Sequence, residues 1–220
     1  MKNLNATQMT ELLRIVSMRI DEASAELGAL DGAIGDADHG NTMARGFAAV
    51  VTACVEAANQ DVKAGALLPI AGRSFLNAVG ATTGPLYASA FLRAGQAFDA
   101  QQDIPVDRLP EMVVCFCDGI AQRGKATPGD KTMLDAWGPA ARAVTEALQN
   151  GAGPVACLDA ALEAASEGRE ATRAMVASVG RAARLGERSL GHVDPGAASA
   201  VIIIAALREG LANLLQGEAS

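Results

Sequence analysis

Thr10–Gly46 reads T-E-L-L-R-I-V-S-M-R-I-D-E-A-S-A-E-L-G-A-L-D-G-A-I-G-D-A-D-H-G-N-T-M-A-R-G. Its first half carries Leu13, Val16, Ile20 and Leu27 on one stripe at helical spacing, which predicts an amphipathic helix over about Thr10–Gly28. Its second half changes character. Asp31, Asp36 and Asp38 fall inside eight residues of a glycine-rich turn that holds no lysine or arginine. Like charges that close repel unless a cation lies between them. The turn therefore reads as a cage for a hard cation, since carboxylate oxygens are what Mg²⁺ or Ca²⁺ prefer. An EF-hand does not fit: the twelfth position counted from Asp36 is Phe47, where a bidentate Glu is needed. The competing reading is a solvated acidic turn whose aspartates cap helices.

The same helical period continues along the chain, and strand-like alternation is nearly absent. Further helices are expected at about Thr42–Asn59, Val62–Val79, Pro85–Ala100, Val106–Arg123, Lys131–Asn150, Val155–Ser178 and Gly196–Leu215. Pro85 suits a first helical turn, and Asn150–Gly151 with Gly153–Pro154 stops the helix before it. No Ser/Pro-rich linker and no repeat interrupts the pattern, so residues 1–220 read as a single all-α domain of eight helices. The chain has 220 residues, half of them apolar but only 3% aromatic, so the core is expected from Ala, Leu, Val and Ile.

The connections differ by parity. Those after the first, third, fifth and seventh helices are rich in glycine, hydroxyls and charge. Those near Gln60–Asp61, Gln101–Pro105 and Asn150–Pro154 are short and ordinary. In an up-and-down bundle every second loop emerges at the same end. The four unusual loops then share one rim, and one composite site accounts for all of them.

Gly80–Gly84 (G-A-T-T-G) opens onto a helix, where glycine amides, the hydroxyls of Thr82 and Thr83 and the helix N-terminus favour a phosphate; the bland alternative is that the threonines cap the helix. The third loop, Arg123–Met133, carries compact positive charge, with Gly124 and Gly129 permitting close approach. Met133 suits either a purine face or the core. In the fourth loop Arg181, Arg184 and Arg188 can offer a cation to phosphate, Glu187 is placed to pair with one of them, and Asp194 is placed to cap the last helix. His39 and His192 are the chain's two histidines and both belong to this rim, as phosphate donors or as structural hydrogen-bond partners.

The net charge of −7 and the lack of a basic run argue against nucleic acid. Cys54, Cys115, Cys117 and Cys157 have no zinc-like spacing and read as reduced thiols. The N-terminal residues lack a signal-peptide pattern, and the apolar block near Val201–Leu207 is too short to span a bilayer, so a cytoplasmic chain without a membrane partner is expected.

Three motifs, L-D-x-x-I-G-D-A-D-H-G at Leu30–Gly40, G-D-K-T-M at Gly129–Met133 and G-E-R-S-x-G-H-x-D-P-G-A at Gly186–Ala197, resemble in this order the L subunit of dihydroxyacetone kinases. The resemblance covers essentially the whole chain. It implies an eight-helix antiparallel up-and-down barrel with a nucleotide, ADP or ATP, at one rim. It implies two Mg²⁺ ions on Asp31, Asp36 and Asp38, and nucleotide contacts at His39, Gly40, Asn41, Thr42, Thr82, Thr83, Gly124, Met133, Arg181, Asp194, Pro195 and Gly196. It also implies a separate K subunit that holds the ketose covalently. Phosphate arrives from a phosphotransferase (M-type) subunit fed by phosphoenolpyruvate in one mode, or from exchanging ATP in another. Thr42 stands where the family often has Asn, Thr83 where it has Ser, Arg184 where it has an aromatic and Val179 where it has a lysine. Two other readings stay open: a kinase subunit for another triose or tetrose, and a non-catalytic Mg-nucleotide sensor.

Overall fold

Apolar residues at helical spacing fold nearly the whole chain into helices, as a computed structural model describing residues 2–100 and 102–216 shows. Among these residues there are nine α-helices: α1 Ala6–Glu22, α2 Ser24–Ile34, α3 His39–Ala58, α4 Ala64–Ala78, α5 Thr83–Ala97, α6 Glu111–Gly124, α7 Leu134–Gln149, α8 Pro154–Ala171 and α9 Pro195–Gln216. Gln101, where one of the short connections was expected to begin, lies outside the described residues.

The count differs from the expected eight because the first helix is two. The chain hitches at Ala23 (φ −90°, ψ 0°) and resumes as α2, which runs six residues past the expected end at Gly28. Asp31 consequently stands on a helix rather than in a turn. Close packing accompanies this geometry. Gly40, near the start of α3, lies so close to α2 that a Cβ there would come within 1.9 Å of the Ser24 carbonyl oxygen and 3.0 Å of the Gly28 nitrogen. The helix expected over Val155–Ser178 ends at Ala171 and gives way to a 3-10 turn, Thr172–Ala174. The helix expected from Val106 begins at Glu111, after a 3-10 turn at Val106–Arg108.

With α1 and α2 taken as one bent rod, the ring is the expected eight-membered one. Helices α3 to α9 each pack on the next, α1 packs on α3, and α9 closes back on α1. Connections in the ring therefore alternate between its two ends. The end remote from the unusual loops is tied by a two-residue antiparallel pairing, β1 Asn3–Leu4 with β2 Ile104–Pro105. Helix α9 is 22 residues long and holds an 18-residue stretch of mean hydropathy 1.6, so by length and composition alone it is long and apolar enough to cross a membrane, which corrects the expectation drawn from the shorter block at Val201–Leu207. Half of that stretch is buried, and α9 packs on α1, α7 and α8.

Small and aliphatic residues line most of the core, but its centre is aromatic. Six of the chain's seven aromatic side chains form a connected string across five helices. Phe47 meets Phe75 with ring centroids 5.4 Å apart, Phe75 meets Tyr87 at 5.3 Å, Phe91 meets Phe116 at 4.9 Å and Phe116 meets Trp137 at 5.6 Å. Phe91 is joined to Phe47 at 6.3 Å. Such edge and tilted contacts add to the burial of large rings. The four cysteines are free, and burial pushes the Cys54 thiol up to about 12, as expected of an inert structural thiol.

Phe91 sits in the middle of the string and is fully buried. Phe91→Ala is expected to lower the unfolding free energy by about 3–5 kcal/mol in urea denaturation, because the cavity it leaves is flanked by rigid rings. A loss under about 1 kcal/mol would mean that the string is not what fills the barrel.

Candidate functional site

The acidic turn is built by a helix end and a tight bend. Asp31, on the last turn of α2, accepts backbone N–H groups from Asp38 (2.9 Å) and His39 (3.3 Å) through Oδ2. It thus satisfies amides at the N-terminus of α3, where negative charge is favoured. Ala37 adopts the left-handed conformation (φ 61°), which turns the chain back so sharply that Asp36 and Asp38 return to Asp31. A ligand oxygen from each of the three carboxylates lies within 4.8 Å of the others. Gly35 makes room for this: a Cβ there would stand 2.3 Å from Asp31 Oδ1. The capping alternative holds for Asp31 alone, because Asp38 is the residue at the α3 N-cap and makes no side-chain capping bond.

The donor set fits a hard divalent cation: three carboxylates, two of them exposed, with room for waters. Arg181 also supports the fit. Its guanidinium contacts Asp36 and reaches within 3.8 Å of Asp38, so a cationic group already stands on the cluster. That placement brings Arg181 to the acidic cluster itself. Arg184 and Arg188 do not join it, and among the described residues Glu187 pairs with no arginine of this loop.

Loops three and four are welded together below the surface. Lys131, counted from sequence among the rim's positive charges, is 2% exposed and donates to the carbonyls of Thr172 and His192, both at 2.5 Å. Asp135 accepts the N–H groups of Gly129 (2.6 Å) and Thr132 (2.7 Å), and Thr172 Oγ1 accepts from the N–H of Asp194 at 3.0 Å. Asp130 bridges to Ser178 at 2.5 Å. The sequence reading missed Lys131, Asp135 and Thr172 as organisers. The signal was the density of polar residues in G-D-K-T-M-L-D.

Asp194 caps α9 as expected, its Oδ2 accepting from Ala197 N–H at 2.7 Å. Gly196 lies against Met133; a Cβ on it would be 3.2 Å from Met133 Cβ. Met133 is largely buried, which favours the core reading over an exposed purine face. At the start of α5, Thr82 is exposed and makes no side-chain capping bond, so its hydroxyl is not spent on the helix. Gly124 ends α6 against Leu86 of α5. His39 and Thr42 are buried on the first turn of α3, while Asn41 between them is exposed. His39 Nε2 lies 3.0 Å from Ser199 Oγ on α9, and burial holds the imidazole below its usual range although Asp31 pulls the other way. The first, third and fourth loops thus meet through Arg181 with Asp36, Ser178 with Asp130, Lys131 with Thr172, and Met133 with Gly196.

Comparison with known proteins bears on the family and the fold. The DAK2 domain family model matches residues 33–209. The chain is 39% identical over 202 residues to the PEP-dependent dihydroxyacetone kinase, ADP-binding subunit DhaL, of Escherichia coli (strain K12), covering 92% of this chain and 95% of that one. It is 36% identical over 187 residues to the L-erythrulose 1-kinase of Mycolicibacterium smegmatis, covering 85% of this chain but 32% of that one. The crystal structure of the dihydroxyacetone kinase from C. freundii in complex with AMP-PNP and Mg²⁺ superposes with a TM-score of 0.69 at 25% identity, over 95% of this chain and 35% of that one.

Burial pushes the Asp194 carboxyl up to about 7, despite the N–H of Ala197 and the nearby Lys131. The folded protein then keeps a proton that an exposed aspartate loses near 3.8, so unfolding releases a proton between those values and rising pH drains stability from the native state. Asp194→Asn carries no such proton. Its stability relative to the unmodified protein is expected to rise as pH goes from 4 to 7, measured by urea titrations across that range. Parallel pH curves for the two proteins would contradict the assignment.

Proposed function

The chain belongs to the family of ADP-binding DhaL subunits of dihydroxyacetone kinases, built on the DAK2 domain, and on that premise we propose that it is the nucleotide-binding subunit of a phosphoenolpyruvate-dependent dihydroxyacetone kinase. The observation that carries the reading is the convergence of Asp31, Asp36 and Asp38 at the N-terminus of α3, on the rim shared by all four unusual loops.

In this reading Asp31, Asp36 and Asp38 hold Mg²⁺, two ions when a nucleotide is bound. Bound Mg²⁺ supplies neutralisation of the phosphate oxygens between which the phosphoryl group moves. Asp31 is kept in place by the α3 amides, so its remaining oxygen is pre-oriented. Thr82, Thr83 and the α5 amides orient the phosphates, with positive helix-terminus charge behind them. Asn41, Thr42, Gly124 and the Asp194–Pro195–Gly196 turn enclose the nucleoside, with the largely buried Met133 packed beneath Gly196. Arg181, which contacts Asp36, would be free to turn to the phosphates with Mg²⁺ on the carboxylates. Such a site works by positioning and charge stabilisation.

The ketose itself finds no nucleophilic partner on this rim. A separate K subunit binds it, and a phosphotransferase subunit fed by phosphoenolpyruvate recharges the nucleotide. The relation to the erythrulose kinase motivates a second reading, in which the acceptor is another triose or tetrose chosen by the partner subunit.

Asp36 is the carboxylate to change, because among the described residues it contacts Arg181 and caps no helix. Asp36→Asn is expected to lower Mg-ADP affinity at least tenfold by titration calorimetry while helical circular dichroism is unchanged. Unaltered affinity would refute the metal role. Mixing the chain with a K subunit, dihydroxyacetone or erythrulose, and a phosphoryl donor distinguishes the readings: phosphorylated product identifies a kinase and its acceptor, whereas binding without turnover identifies a sensor.

A further inference from the structure

Beneath the rim lies a polar cluster that the nucleotide reading leaves unused. Ser199, on the second turn of α9, is fully buried in an otherwise apolar stretch. Its hydroxyl donates to the Gly196 carbonyl at 2.9 Å. An Oγ that donates there turns its lone pairs to His39 Nε2, 3.0 Å away, and accepts from it. On the core side Tyr87 Oη is buried beside the same hydroxyl and beside Trp137 Nε1, and neither ring group makes a hydrogen bond. A buried hydroxyl between two rim elements and two orphaned ring polar groups has more than packing to do.

We propose that Ser199 is a positioning residue that fixes His39 as its Nε2–H tautomer, leaving Nδ1 bare, so that His39 offers the nucleotide site a hydrogen-bond acceptor for a ribose hydroxyl and not a donor for phosphate. This rests on the nucleotide-site reading and deepens it. The two candidate roles of His39 differ in which ring nitrogen carries the proton, and the hydrogen-bond partner on the other nitrogen is what decides that. Ser199 ties this choice to Gly196, so the α3 and α9 N-termini are held in register through one hydroxyl.

The experiment uses the full chain labelled with ¹⁵N-histidine. His39 and His192 are the chain's two histidines, so long-range ¹H–¹⁵N spectra are assigned with one His192→Gln control. With Mg-ADP bound near pH 8, His39 is expected to show a proton on Nε2 and a pyridine-like Nδ1. Ser199→Ala removes a single oxygen and is expected to give a tautomer mixture and Mg-ADP affinity lower by about threefold to tenfold, the worth of one neutral hydrogen bond, with Mn²⁺ affinity in the absence of nucleotide unchanged. A merely structural role would lower the melting temperature without moving the tautomer. A proton on Nδ1 in the unmodified protein overturns the proposal, as does a Ser199→Ala variant with unaltered tautomer or unaltered affinity. If the unmodified protein does not bind Mg-ADP at all, the nucleotide reading fails, and this inference with it.

Discussion

Three carboxylates drawn to within 4.8 Å of one another are the constraint on which the rim is built. Left alone they would push the Gly35–Asp38 bend open, since nothing apolar holds it. Two features resist that. Asp31 spends one oxygen on the amides of α3, which gives its charge a fixed and favourable seat. The left-handed Ala37 and the side-chain-free Gly35 return Asp36 and Asp38 to it. What these features do not remove is the repulsion, and the Arg181 guanidinium answers it.

Closure of the helix ring carries this local geometry to the rest of the site. Because α9 packs back on α1, the loops before α3, α5, α7 and α9 leave the same end of the ring. Depth adds to closure. The buried ammonium of Lys131 holds the carbonyls of Thr172 and His192, and Thr172 in turn holds Asp194. Removing that charge would leave carbonyls unsatisfied in a dry place, which costs more than a surface ion pair would return. The exposed pairs elsewhere, such as Arg14 with Glu11, carry little of the stability by comparison.

Much of this was legible in the chain. Helical period and loop parity gave the ring and the shared rim, and the acidic turn pointed to its own chemistry before any coordinates. The hitch at Ala23 was not legible, because Asp21-Glu22-Ala23-Ser24 contains no helix breaker and the break goes with the close approach of Gly40 to α2. Lys131 was read as a surface cation because lysine is seldom buried, and only the fold supplies the two carbonyls that make burial tolerable. Ser199 sits in A-A-S-A-V-I-I-I and looked like one more small helix residue; its partner His39 is 160 positions away. Local pattern reports on local structure, and these residues owe their roles to long-range contacts.

The account's central claim is that Asp31, Asp36 and Asp38 together seat a divalent cation that anchors a nucleotide. A crystal grown with Mn²⁺ and ADP tests it most directly through anomalous scattering. The account predicts a manganese peak bounded by those three carboxylates, with the diphosphate against it and Arg181 withdrawn from Asp36. A difference map with the nucleotide in place but no anomalous peak among the three aspartates would contradict it.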